Sequence, residues 1–404
     1  MAPSPPAVTD GSKTWSPSHL FPSESNNPEL WDKIHSHLKA NEFKLAIVAA
    51  FELPHGDNFT YHASASVNLS QAEAAIQGGR ANGLHAWYIE PKGDGNNDGT
   101  VSEDTVDREV VESPTGQPSL KLTGYPPPSD IQAYIALFDP TKSAANSLKS
   151  LAANAKKGSI RQSVADYLLS KRYLDSMIIV PRFKLPPSAT DASHTGQENP
   201  ALDFWAYTCH ALEYAGPCQN TSLVKSSHHL LPVLMHHFGC VVPSYEALQI
   251  INKVANGKSI LDMGSGNGYW SLMLRRSGLT VIAVDNAQSK WRTVWVPDTI
   301  ATDGIQYLRK RGGCPETVLL LVYPIVGADF TRKVIESYTG DVVCVAGTQN
   351  GNGYTGFKDM MIDKFMSQER KSWEKCAQVP LPSFAGKDDA LFVFRRKTDD
   401  TLGH

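Results

Sequence analysis

From residue 258 onward the apolar positions fall into a rhythm. Short, mostly apolar runs at 260–263, 280–285, 317–323 and 341–346 alternate with stretches in which apolar residues recur every three or four positions. The first kind predicts buried strands and the second amphipathic helices. Helices between strands demand crossovers, so a parallel sheet with right-handed connections is expected. The runs at 376–380 and 390–395 are instead joined by a short segment holding Pro and Gly, which predicts an antiparallel hairpin.

Before residue 200 the pattern is less regular. "FKLAIVAAFEL" (43–53), "LHAWYIE" (84–90) and "IQAYIALFD" (131–139) are short and apolar and read as strands, whereas 69–79 and 144–157 are rich in helix formers. Residues 91–118 are polar and acidic and read as a long mobile loop, and the Pro- and Ser-bearing stretch 185–200 reads as a boundary. Residues 201–257 read as mainly helical. The expected division is a disordered tail over 1–28, an N-terminal α+β domain over 29–190, a helical connector or cap over 200–245, and an α/β domain over 246–398.

Composition narrows the function classes. The 404 residues are 41% hydrophobic and 20% charged, enough apolar material for two ordinary cores. A formal net charge of −3 gives no basic footprint for nucleic acid. There is no run of about 18 apolar residues, so no membrane span is expected. The six cysteines show no CxxC, and the first residues carry neither a basic nor an apolar leader segment, which together predict a cytoplasmic or nuclear protein.

One loop concentrates the chemistry. The strand at 260–263 leads into Gly264-Ser265-Gly266-Asn267-Gly268, and a helical pattern follows with Tyr269, Trp270, Met273 and Leu274. Glycines permit a tight turn and a close backbone approach, and the helix start offers free N–H groups. A dinucleotide turn would read GxGxxG, with glycine or alanine at 269. Tyr269 stands there instead, and the spacing is GxGxG. Asp262, two residues before the first glycine, suits a ligand bearing an ammonium group. Asp285, with Asn286 after it, falls where a ribose-binding acid is expected roughly 20 residues on. A third acid is Asp303, with Asp298 as its rival; Asp303 is favoured because Gly304 and a helical pattern follow it.

At these residues the chain resembles the class I S-adenosylmethionine-dependent methyltransferases. "ILDMGSGNGYW" is similar to their first motif, "VIAVD" to their second-strand acid, "TDG" to their adenine-side acid and "LLLVYPIVG" to their fourth-strand motif. The resemblance covers residues 250–396, and "FGCVVPSYEAL" with the closing run resembles a poorly characterised subset of methyltransferase-like proteins. It implies a Rossmann-like domain with a mostly parallel seven-stranded sheet ending in an antiparallel hairpin. It also implies an enzyme that uses S-adenosylmethionine, held by Asp262, Gly264, Ser265, Gly266, Gly268, Tyr269, Trp270, Asp285, Asn286, Asp303, Gly304 and Tyr323, and no metal.

Methyl transfer needs an in-line acceptor and a positioned pocket more than a particular catalytic side chain. Tyr323 is the catalytic candidate, at the place where acceptor contacts fall after the fourth strand. The (Asp/Asn/Ser)-Pro-Pro-(Tyr/Phe) motif of amino-directed nucleic-acid enzymes is absent there: Tyr323-Pro324-Ile325-Val326 departs at the first, third and fourth positions. A small molecule or a protein side chain is therefore the expected acceptor, and nucleic acid is not. Trp270, Trp291 and Trp295 are candidates to face a cationic ligand, and Tyr245 and Glu246 to form a lid. The spacing of His229 and His236 does not match a metal motif, though one of the histidines in 228–237 could act as a base. The alternatives are a binding protein of the same fold without catalysis and an NAD-dependent oxidoreductase, the latter opposed by Tyr269.

Overall fold

The computed structural model describes residues 8–25, 27, 29–63, 65–92, 119–183, 198–351 and 355–397. The N-terminal half is built from short helices and two small ribbons. In order these are α1 (Glu29–Lys39), α2 (Phe43–Phe51), β1 (Tyr61–His62), β2 (Ser66–Val67), α3 (Leu69–Gly78), β3 (Ile89–Pro91), β4 (Leu120–Leu122), α4 (Pro128–Ile135), α5 (Ala144–Ala153), α6 (Ile160–Lys171) and β5 (Tyr173–Leu174). Helices α7 (Pro200–Ala211), α8 (Leu230–Phe238) and α9 (Tyr245–Ala255) follow.

The remainder alternates as the pattern predicts. It runs β6 (Ser259–Met263), α10 (Tyr269–Arg276), β7 (Val281–Asp285), β8 (Ile300–Ala301), α11 (Gly304–Lys310), β9 (Thr317–Val322), α12 (Phe330–Ser337), β10 (Val342–Thr348), α13 (Ile362–Glu369), β11 (Trp373–Pro380) and β12 (Asp389–Arg396). The strand order is β5-β11-β12-β10-β9-β6-β7-β8. Strands β8 through β10 pair in parallel, and β12 runs antiparallel to both β10 and β11. The chain moves outward from β6 through β7 to β8, then returns to β9 on the other side of β6. The switch point therefore lies between β6 and β9, where an open α/β sheet leaves a crevice beyond its carboxyl ends.

Several expectations need correction. The sheet has eight strands rather than seven, because β5 pairs with β11 at the far edge through Tyr173–Gln378 and Leu174–Ala377. The strands read at 43–53 and 131–139 are helices α2 and α4. Of 84–90 only the end is extended, in β3. The tail expected over 1–28 is packed where it is described: Trp15, Leu20 and Phe21 are buried, and Trp15 donates its Nε1–H to the Ala50 carbonyl at 2.8 Å. Residues 93–118 and 184–197, which carry most of the expected loop and boundary, lie outside the described residues.

Between β7 and β8 no helix forms over 286–299. The N-terminal segment packs there instead. Val294 N–H donates to the Val8 carbonyl at 2.8 Å, Asp10 N–H to the Arg292 carbonyl at 2.9 Å, and Trp15 meets Trp295 edge-on at 5.3 Å. Trp295 also packs on Phe51, Phe238 and Tyr269, so an aromatic core joins the two halves of the chain. Among the described residues no helix is long and apolar enough to cross a membrane.

Candidate active site

Beyond the carboxyl ends of β6, β7 and β9 lies a cavity of about 750 Å³. Its floor is the glycine loop. Gly264, Gly266 and Gly268 have φ of +76°, +58° and +81°, the left-handed region that side chains with a Cβ rarely enter. A Cβ on Gly266 would meet Trp291 Cζ2 at 3.1 Å, and one on Gly268 would collide with Val296 Cγ2 at 2.2 Å. The first glycine permits approach to the cavity, and the second permits the loop to pack on its neighbour.

Asp285 closes β7 with both oxygens engaged: Oδ2 accepts from Gly266 N–H at 3.0 Å and Oδ1 from Ala287 N–H at 2.7 Å. A carboxylate so fixed still presents its outer lone pairs to the cavity that it lines with Asn286. Asp303 lines the same cavity and caps α11 by accepting from Gln306 N–H at 2.9 Å. Its rival Asp298 lies outside, paired with Arg275 at 2.8 Å. Gly304 follows Asp303, and a Cβ there would meet the Met263 sulfur at 2.4 Å.

Not every implied residue reaches the cavity wall. Gly264, Ser265, Gly266, Trp270, Asp285, Asn286, Asp303, Gly304 and Tyr323 line it, whereas Asp262, Gly268 and Tyr269 do not. Asp262 is wholly buried behind the loop, where Ser271 Oγ–H donates to Oδ2 at 2.6 Å. Burial pushes its carboxyl up to about 7, against the pull of Ser271, and the nearby Asp285 adds to the rise. Its Oδ1 and the Ser265 hydroxyl have no partner among the described residues. Tyr269 is structural: its hydroxyl donates to Asn199 Oδ1 at 2.7 Å and accepts from Ala201 N–H at 3.0 Å. Trp270 and Trp291 line the cavity and Trp295 belongs to the core. Glu246 pairs with Arg172, and Tyr245 packs on Phe183; neither borders the cavity.

Of the histidines in 228–237, read as possible bases, one reaches the wall. His236 lines it, with Nε2 2.9 Å from the His62 carbonyl oxygen. His237 is stacked on Phe51 at 3.8 Å inside the core. At the far end Tyr323 receives a hydrogen bond from Lys387 Nζ at 2.9 Å. Lys387 comes from the loop between β11 and β12, and only the cluster Lys387-Asp388-Asp389 in an otherwise apolar stretch marks it in the sequence.

No family model matches the chain, and neither does any curated relative. Solved structures match it in part. The 1,6-didemethyltoxoflavin-N1-methyltransferase of Burkholderia thailandensis matches at 12% identity, over 37% of this chain and 76% of its own, with a TM-score of 0.30. The magnesium protoporphyrin IX methyltransferase of Synechocystis PCC 6803 matches at 11%, over 44% of this chain and 89% of its own, with a TM-score of 0.29. The trans-methyltransferase CalH matches at 11%, over 72% and 99%, with a TM-score of 0.30. All three were solved with S-adenosylmethionine or S-adenosylhomocysteine bound.

Proposed function

We propose that the chain is an S-adenosylmethionine-dependent methyltransferase acting on a small molecule or a protein side chain. The observation that carries this is Asp285, locked to the Gly266 backbone at 3.0 Å and facing the cavity at the switch point. A carboxylate held there is placed to accept two ribose hydroxyls. The unpartnered Ser265 hydroxyl and the loop that a Cβ at 266 would crowd leave polar contact and space for the amino-acid end of the ligand. Asp303 lies on the adenine side, and Trp270 and Trp291 supply aromatic faces for a cationic sulfur.

The cofactor supplies an electrophilic methyl on a sulfonium. The chain's share is to hold that ligand, to exclude water and to hold the acceptor in line, with Tyr323 and its partner Lys387 at the acceptor end. Calorimetric titration with S-adenosylmethionine, S-adenosylhomocysteine and NAD in parallel tests the reading. The first two should bind and NAD should not; tight NAD binding alone would overturn it.

A further inference from the structure

One end of the cavity is walled by Tyr323, and side chains from three parts of the chain gather around that residue, with Lys387 and Asp389 outside the lining. Tyr323 directly follows β9 with φ +50°, a conformation that is strained for a bulky residue and that clusters at functional positions. Its N–H is tied to the Ala346 carbonyl at 2.7 Å, which holds it there. Lys387 Nζ donates to the Tyr323 hydroxyl at 2.9 Å and lies 4.4 Å from the ring centroid. Cys240, after α8, lines the same end. Asp389 is 1% exposed, and neither of its carboxylate oxygens has a partner among the described residues. Burial opposes the charge on Lys387, but Tyr323, Asp389 and Cys240 hold its pKa above the ordinary lysine value. Burial also pushes the Tyr323 hydroxyl up to about 12, with Lys387 pulling against it.

Tyr323 thus stays a neutral hydroxyl beside an ammonium ion. Its oxygen already accepts from Lys387, so its own proton is the group left to offer to a ligand. A donor backed by a cation fits an oxygen that carries negative charge. The same donor works against a nitrogen nucleophile. A neutral amine has one lone pair, and a hydrogen bond from Tyr323 would occupy the pair that must attack the methyl group. An oxygen anion keeps further lone pairs free while one is held.

We infer that the methyl acceptor is an oxygen acid, a carboxylate or an acidic phenol, received as its anion by the Tyr323 hydroxyl with Lys387 as the positioning residue behind it. This rests on the methyltransferase reading above. In the step, an oxygen lone pair forms the O–CH₃ bond while the C–S bond breaks and its electron pair stays on sulfur. The anion and the sulfonium become a neutral ester or ether and a neutral thioether, so no proton moves and no general base is needed.

The test uses the full-length protein, S-adenosylmethionine labelled in its methyl group, and a small-metabolite extract of the cells that make the protein. The extract is first divided by ion exchange into acidic, neutral and basic pools. Label should enter the acidic pool, in a product no longer retained by the anion exchanger. Alkali releases labelled methanol from a carboxylate ester and leaves a phenol ether intact, which separates the two sources. Tyr323→Phe should lower transfer at least tenfold while S-adenosylhomocysteine affinity stays within about threefold. Lys387→Met should do the same, and Lys387→Arg should restore transfer. Label entering the basic pool, or entering no pool while S-adenosylhomocysteine still binds, would overturn the oxygen-acid assignment alone. Loss of S-adenosylhomocysteine binding by the wild type would instead overturn the methyltransferase reading beneath it.

Discussion

Arg292 and Asp57, 235 residues apart, form a two-pronged ion pair at 2.5 and 2.7 Å with side chains only 2% and 8% exposed. Arg292 also donates to the Tyr61 hydroxyl at 2.7 Å, and its neighbour Trp291 covers Gly266. The N-terminal half therefore fixes the loop that walls the ligand cavity. Removing one partner of a buried pair leaves the other charge uncompensated and costs about 3–5 kcal/mol. Asp57→Ala should lower stability by about 3 kcal/mol in urea titration and weaken S-adenosylhomocysteine binding as well. A stability loss with unchanged affinity would show that Trp291 holds its place without the pair.

Gly266 and Gly268 should respond differently to alanine. At 266 the cost is a left-handed alanine, about 1–2 kcal/mol, plus displacement of the Trp291 ring, so ligand affinity should fall more than tenfold. At 268 the new methyl would strike Val296 Cγ2 at 2.2 Å, so the protein should lose most of its stability before affinity can be measured. Thermal melts and calorimetry on both variants check this. Equal affinity of Gly266→Ala and wild type would remove the loop from the ligand site.

Asp285→Ala should weaken S-adenosylmethionine binding more than Asp303→Asn does. The first change removes an acceptor of two hydroxyls and frees the Gly266 and Ala287 N–H groups, with charge-assisted bonds worth about 1.5–3 kcal/mol each. The second keeps the cap on α11, since asparagine caps as well as aspartate. Asp303→Asn should thus leave the melting temperature unchanged while losing one ligand contact. The reverse order in a binding titration would exchange the roles of the two acids.

Stability should fall as pH rises from about 6.5 to 8, because below that range His210, His228, His236 and His237, held neutral by burial, pull the other way. Burial pushes Asp262 and Asp389 up to about 7 and Asp388 up to about 6. An acid raised in the fold favours the protonated native state. Its contribution is fully present below the unfolded value near 4 and is lost as pH passes through 7. Asp262→Asn keeps an oxygen for the Ser271 hydroxyl and removes the charge, so at pH 8 it should exceed wild type by on the order of 1–4 kcal/mol. A variant less stable than wild type at every pH would mean that the charge is compensated in the fold.

The sheet was legible because β6, β7, β9 and β10 are short apolar runs with helical stretches between them, whereas β8 is only the exposed pair Ile300–Ala301 and left no such run. Asp285 could be placed by its spacing from the loop, and Asp303 by the glycine and the helical pattern that follow it. The N-terminal half was misread where apolar runs carry no period. The open face of α2 carries Leu45 and Ala49 beside Lys44, so no polar stripe marks the helical period, although its alanines favoured a helix. For 131–139 the missed signal was Pro128 with Asp130 in the first turn of α4, a helix start. Asp262 illustrates a different limit. Its distance from the glycines is visible in the sequence, but whether its carboxyl faces the cavity or the core depends on Ser271, nine residues on. Lys387 was hidden for a similar reason, since its partner Tyr323 is 64 positions away.

The packing of residues 8–21 against 292–295 also sets an order of events during synthesis. Trp15, Leu20 and Phe21 leave the ribosome long before Trp295 exists, and at about 5–20 residues per second the interval is roughly 15–60 s. Through that time Trp15 and Phe21 wait without Trp295, an aromatic partner of both. Sites assembled from such distant contacts form slowly. Yield of active protein in cells should therefore depend on translation speed and on chaperones that shield the first 21 residues, more than on the strength of any contact in the finished fold.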